Sequence, residues 1–316
     1  MRIVYMGTPD FAVESLDALI NAGHEIVGVI TMPDKPAGRG QLLKPSPVKI
    51  YAQQKSLKIL QPEKLKDESF ISELRSLNAD IQVVVAFRML PEIVWSMPKH
   101  GTINIHASLL PNYRGAAPIN WAIINGDNKT GVTSFLLKHD IDTGDIIFQE
   151  EIDIDDDDDA GSIHDKLMRL GAQLAVKTVD AIERGTATFH KQDDIDPATI
   201  KKAPKIFKDD MRIIWDRPAT DIVNHIRGLS PYPAAWTTLT DDKGADITAK
   251  IFKAVKATSP QSLAPGQIKV IDGKRLLIGT ADQPVEICDI QLSGKKRMAA
   301  SALLCGFHPN ESIKCH

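Results

Sequence analysis

Residues 1–31 constrain the fold more than any other stretch. Arg2 to Met6 reads as a buried strand. Gly7-Thr8-Pro9-Asp10 turns it into a helix, with Asp10 placed to cap the first turn and Phe11, Leu16, Leu19 and Ile20 on one apolar face. Asn21-Ala22-Gly23 ends that helix, and Glu25 to Thr31 reads as a second buried strand. A strand, a crossover helix and a second strand in so short a span predict parallel neighbours in a doubly wound α/β sheet. The first turn holds one glycine rather than G-x-G-x-x-G, so it predicts no dinucleotide site.

The alternation continues along the chain. Pro33 to Pro47 reads as a long loop in which Lys35, Arg39 and Lys44 carry the charge. A loop of that length suits a function, and its cations suit a nucleic-acid backbone, although a solvated linker is the plainer reading. Helices are expected over Val48–Gln54, Asp67–Leu77, Pro118–Ile124 and Ser162–Arg184. Strands are expected over Leu57–Leu60, Ala79–Phe87, Gly131–Lys138 and Gly144–Glu150. The run Asp155 to Asp159 resembles a metal site but reads better as a solvated turn before a helix.

Gly185 to Pro204 is polar and irregular, a linker in composition. Beyond it, alternating segments at Arg212–Trp215, Trp236–Leu239, Ala249–Val255, Gly266–Ile271, Arg275–Gly279 and Val285–Ile290, with one helix over Ala219–Arg227, predict a small β-barrel. The expected organisation is a first domain over 1–187, a linker over 188–205 and a second domain over 206–316.

No apolar run approaches the roughly 18 residues a membrane span needs, and Met1 leads directly into a strand, so neither a membrane partner nor a signal peptide is expected. Cys288, Cys305 and Cys315 are an odd count placed late, which fits a reducing cytoplasm. Cys305, His308, Cys315 and His316 match no zinc spacing, and the terminus is expected to fray, so no metal is expected. From Lys205 onward sixteen Lys and Arg face twelve Asp and Glu, a balance of +4, whereas residues 1–204 carry −7. A basic second half on an acidic first half points weakly to a polyanionic partner.

The chemistry is expected between Gly101 and Pro118. In Thr102-Ile103-Asn104-Ile105-His106, period-two alternation sends Ile103 and Ile105 to one face and Asn104 and His106 to the other. A carboxamide and an imidazole thus share a face near a strand's C-terminal end, where open α/β sheets hold their ligands. Pro111 and Gly115 then force an irregular loop. Asp142, in the tight turn Asp142-Thr143-Gly144-Asp145, is spaced to return beside that edge. A carboxylate beside an imidazole favours the cation, and a carboxamide donor can stabilise a developing oxyanion. Together they suit acyl transfer to an amine with no covalent enzyme intermediate. Ser108 lies outside G-x-S-x-G and has no base partner in sequence, so it is not expected to be a nucleophile.

Asn104-Ile105-His106, Ser108-Leu109-Leu110-Pro111, Tyr113-Arg114-Gly115 and Asp142-Thr143-Gly144-Asp145 resemble the motifs of the formyltransferases that use 10-formyltetrahydrofolate. Tyr5 to Ala12, Pro33 to Gly40 and Lys44 to Lys49 narrow the resemblance to the branch that formylates methionyl-tRNA, and it covers nearly the whole chain. It implies a Rossmann-like, mostly parallel sheet in a catalytic domain, followed by a tRNA-binding β-barrel resembling an OB fold. It implies Asn104, His106 and Asp142 as the catalytic trio. Ser108, Leu109, Leu110 and Pro111, with Phe87 and Leu90, would bind the folate, and Arg39 the tRNA. The implied partners are initiator methionyl-tRNA and 10-formyltetrahydrofolate as co-substrate, acting on a cytoplasmic monomer involved in translation initiation. Phe87-Arg88-Met89-Leu90-Pro91 and Lys138-His139-Asp140 depart from the branch's usual pattern. A formyltransferase acting on a sugar amine or on glycinamide ribonucleotide is the sister reading, and a non-catalytic RNA-binding protein the reading from another class.

Overall fold

The computed structural model describes residues 1–37, 42–192, 198–241, 243–258 and 262–316. In chain order its elements begin with β1 (Arg2–Gly7), α1 (Phe11–Asn21), β2 (Glu25–Ile30), β3 (Lys35–Ala37), β4 (Leu42–Lys44), α2 (Pro47–Gln54) and β5 (Ile59–Leu60). Next come α3 (Glu68–Ser76), β6 (Ile81–Val85), α4 (Glu92–Trp95), β7 (Thr102–His106), β8 (Arg114–Gly115), α5 (Pro118–Ile124), β9 (Lys129–Leu136), β10 (Ile146–Asp153) and α6 (Ala160–Glu183). The chain forms two compact units: Met1–Gly115 with Thr130–Ile152 and His164–Lys202, and Ala116–Lys129 with Asp153–Ile163 and Ala203–His316.

The first unit is built on a seven-stranded sheet in the order β10-β9-β7-β6-β1-β2-β5. The pairs β2–β5, β1–β2, β1–β6 and β6–β7 are parallel, and β9 runs antiparallel to β7. Ile3, Val4, Tyr5 and Met6 of β1 are fully buried, as a central parallel strand covered on both faces requires. Asp10 caps α1 by accepting the Phe11 N–H at 3.0 Å. The chain moves outward from β1 to β2 and β5, then returns to place β6 on the other side of β1. That reversal opens a crevice beyond the C-terminal ends of β1 and β6. Gly7 ends β1 there, and a side chain on it would meet the Ala12 Cβ at 2.6 Å and the Val85 carbonyl at 3.1 Å. Beside β6, β7 pairs Val85 with Ile105, which carries His106 one residue further toward the same edge.

Within the loop expected over Pro33–Pro47, β3 and β4 pair antiparallel, with Lys35 opposite Lys44. Arg39 lies outside the described residues. The aspartate run is also more than a solvated turn. Asp159 and Ser162 form a capping box at the start of α6: the Ser162 N–H reaches Asp159 Oδ1 at 2.9 Å and the Asp159 N–H reaches Ser162 Oγ at 3.0 Å. Asp158 is buried and accepts from the Ser162 hydroxyl. Asp155, Asp156 and Asp157 are exposed, as expected of a turn.

The later elements are β11 (Lys202–Ala203), α7 (Ala219–Leu229), β12 (Ala235–Thr240), β13 (Asp246–Lys256), β14 (Ile268–Ile271), β15 (Arg275–Ile278), β16 (Val285–Leu292), β17 (Met298–Ala299) and α8 (Ala300–Leu303). In the second unit β12-β13-β16-β15-β14 make a curled antiparallel sheet, with β17 added to β16. It wraps a core that includes Trp215, Ile222, Ile226, Ile251, Leu276 and Ile290. Arg212–Trp215 is not the expected strand. It makes one bridge to Trp236, and Pro218 then opens α7 before a ladder can extend. Trp215 is buried instead and donates its indole N–H to Thr237 Oγ1 at 2.9 Å.

The C-terminal segment is not frayed. On the β12 side, the Asn310 N–H donates to the Thr240 carbonyl and the Thr238 N–H to the His316 carbonyl. On the β14 side, the Cys315 N–H donates to the Gly266 carbonyl, and Lys269 pairs with Glu311 at 2.9 Å. The tail thus ties the two edges of the open sheet together, covering backbone groups that an edge would leave unpaired.

Candidate active site

His106 is the last residue of β7 and is buried, between two oxygen atoms. Its Nε2 lies 2.9 Å from the Tyr113 carbonyl. A carbonyl only accepts, so Nε2 carries a proton and donates. Its Nδ1 faces Asp142 Oδ2 at 3.8 Å, too long for a hydrogen bond. Tyr113 holds this carbonyl in place from a left-handed backbone, φ +62°, which is costly for a bulky side chain.

Asp142 is held with similar specificity. It too is left-handed, at φ +55°, and its Oδ2 accepts the Gly115 N–H at 2.9 Å. Its Oδ1 has no partner among the described residues. Gly144 permits the turn: a Cβ there would fall 1.6 Å from the Leu136 carbonyl oxygen. The Thr143 hydroxyl closes the turn from within by donating to the Asp140 carbonyl at 3.0 Å.

Asn104 lies two residues before His106 on the same face of β7, between Val84 of β6 and Phe135 of β9. It is half-buried, and its carboxamide has no hydrogen-bond partner among the described residues. A polar group left available at a sheet edge beside a held imidazole can serve an incoming ligand.

The two turns expected to hold a ligand follow adjacent parallel strands. After β7, Ser108 is fully buried and its hydroxyl donates to the Asn112 carbonyl at 2.7 Å. The Leu110 N–H is taken by Thr133 Oγ1 and the Leu110 carbonyl by Gln149 Nε2. Leu110 is itself buried, which leaves Leu109 and Pro111 as the half-buried members of the turn. After β6, Ala86 is left-handed at φ +48°. Phe87 packs partly on the core and Leu90 is buried in it. An open groove of about 890 Å³ runs between Lys64 and Lys66 on one bank and Met89, Leu90 and Pro91 on the other. Its lining does not include the trio. Arg88 beside it donates to the Glu63 and Pro62 carbonyls, and burial lowers its pKa.

The structure thus brings His106 and Asp142 together with Asn104 on one strand face, as the alternation and the turn motif predict. The backbone groups that aim them, the Tyr113 carbonyl and the Gly115 N–H, have no signature in residue type. The nearest sequence signal is the glycine at Gly115, which has φ +125°.

Residues 1–179 match the family described as Formyl transferase, and residues 205–308 match Formyl transferase, C-terminal domain. The chain belongs to the formyl transferase family. Along 99% of its length it is 55% identical to the methionyl-tRNA formyltransferase of Bacteroides fragilis, covering 97% of that protein. Among solved structures, this formyl transferase resembles WlaRD, a sugar 3N-formyl transferase crystallised in the presence of dTDP and 5-N-formyl-THF. The TM-score is 0.65 and the identity 22%, over 94% of this chain and 99% of that one. It also resembles an N-formyltransferase from Helicobacter canadensis in complex with folinic acid and dTDP-3-aminofucose, with a TM-score of 0.63 and 20% identity, over 90% and 98% of the two chains. At that identity the structural likeness speaks for the fold, and the family match for formyl-transfer chemistry.

Proposed function

We propose that this formyl transferase moves the formyl group of 10-formyltetrahydrofolate to the α-amine of initiator methionyl-tRNA, acting as a cytoplasmic monomer. The observation that carries the reading is near full-length identity of 55% to a methionyl-tRNA formyltransferase in a chain that sets His106, Asp142 and Asn104 at one sheet edge. The folate assignment is supported by the formyl-THF and folinic acid named with the two structural neighbours.

The donor lies at the C-terminal edge, near Phe87 to Leu90 and Ser108 to Pro111. The amine attacks the formyl carbon, forming the C–N bond and moving the carbonyl π electrons onto oxygen. Asn104 donates a hydrogen bond to that oxyanion. With Nε2–H given to Tyr113, the second proton of cationic His106 sits on Nδ1 and supplies a charged donor. A well-placed donor of this kind contributes about 3 kcal/mol to the transition state. Asp142 Oδ1 takes the proton from the ammonium nitrogen that the new C–N bond creates in the tetrahedral intermediate. Collapse of the intermediate re-forms the carbonyl and breaks the bond to N10 of the folate, which takes up the proton that Asp142 received. The basic stretch from Lys205 onward, with Arg39, is assigned to the tRNA.

The test is incubation of the protein with the formyl-folate donor and either methionyl initiator tRNA or a nucleotide-linked aminosugar. N-formylmethionyl-tRNA as the sole product supports the reading. Formylation of the sugar alone overturns it.

A further inference from the structure

We infer that Gln192 is a positioning residue for Asp142, tying the carboxylate's turn to the segment that aims His106. The inference rests on the role proposed for Asp142. Gln192 falls in a stretch whose composition reads as linker, yet its side chain is 5% exposed and spends its whole hydrogen-bonding capacity on the site. Its Nε2 donates to the Gly144 carbonyl at 2.7 Å and to the Asp142 carbonyl at 3.2 Å. Its Oε1 accepts from Arg114 Nη2 at 2.7 Å and Nε at 3.3 Å. The amide orientation is fixed by chemistry, since carbonyls only accept and a guanidinium only donates.

Arg114 gives the contact its meaning. The residue before it, Tyr113, presents the carbonyl that takes His106 Nε2–H, and the residue after it, Gly115, gives its N–H to Asp142 Oδ2. One tripeptide therefore touches both members of the ion pair. Gln192 closes the remaining side of the ring, from the Arg114 side chain to the backbone of the Asp142 turn. Without it, two carbonyls and a guanidinium lose their partner in a half-buried site, and the left-handed Asp142 loses the contact holding its carbonyl. Catalytic geometry is sensitive at this scale, because a displacement of about 1 Å costs on the order of 10²-fold in rate.

The experiment is a double-mutant cycle on the full chain, read by single-turnover formyl transfer at saturating donor and methionyl-tRNA. Gln192→Glu is isosteric and keeps an acceptor for Arg114, but as a carboxylate it gives no hydrogen to either carbonyl. It is expected to lower the rate on the order of 10-fold, with KM for both substrates within about 2-fold, in an enzyme assayed well below its somewhat lowered thermal midpoint. In an Asp142→Ala background the same change is expected to cost almost nothing. Wild-type rate in Gln192→Glu, an equal loss in both backgrounds, or a loss that merely tracks a fall in thermal midpoint would overturn the inference. Near-normal turnover in Asp142→Ala alone would instead sink the role of Asp142, a separate failure.

Discussion

The carbonyl oxygen of Tyr113 lies 2.9 Å from Nε2 of His106, seven residues back along the chain. The contact decides which ring nitrogen is committed to structure and which is left for chemistry. Nitrogen-resolved NMR at neutral pH should show His106 protonated at Nε2, with that proton protected from exchange. A proton only on Nδ1 would contradict the geometry.

Gly144 should tolerate no side chain. A Cβ placed 1.6 Å from the Leu136 carbonyl has to move backbone. Gly144→Ala is expected to destabilise by about 2 kcal/mol or more and to slow transfer by displacing Asp142. Gly185→Ala is the comparison: that glycine has a positive φ, +67°, but no atoms lie within 4 Å of its added methyl, so its cost is conformational alone and should stay near 1 kcal/mol. Denaturant midpoints of the two variants compare them directly.

The mostly parallel sheet was readable because β1, β6 and β7 are buried strands of period-two or continuous apolar character, a local property; its strand order was not. The Asn104–His106 pair followed from the same alternation, and Asp142 from a turn motif. Tertiary pairing was not readable. Nothing in the composition of Gln192 distinguishes a buried clamp from a solvated linker residue. Ser162 and Asp159 sit at capping-box spacing, but five consecutive aspartates obscured which one caps α6. The tail from Pro309 to His316 lacks strand periodicity because it pairs residue by residue with two different edges.

That tail should be structural. Deleting residues 309–316 removes the bonds to Thr238, Thr240 and Gly266 and uncovers both edges of the C-terminal sheet. Calorimetry should show a clearly lower unfolding temperature for that half of the protein. An unchanged thermogram would mean that the tail closes nothing.

The cysteines should separate by reactivity. Burial pushes the Cys315 thiol up to about 12, whereas Cys305 is exposed. A thiol probe near pH 8 should label Cys305 in the native protein and Cys315 only after unfolding. The sign for stability follows from a folded value above the unfolded one. The contribution is present below the ordinary thiol range and is lost as pH rises from there toward 12. Rapid native labelling of Cys315 would show that its site is open.

The central claim is that Asn104, His106 and Asp142 act as one unit on the formyl carbon. Single-turnover transfer from 10-formyltetrahydrofolate to methionyl-tRNA, measured at saturating donor for Asn104→Ala, His106→Ala, Asp142→Ala and the triple variant, tests it most directly. Each single change should slow the chemical step by about 10²-fold or more. The triple variant should be little slower than the worst single one, and donor binding should be nearly unchanged. A His106→Ala enzyme that transfers formyl at close to the wild-type rate would contradict the account.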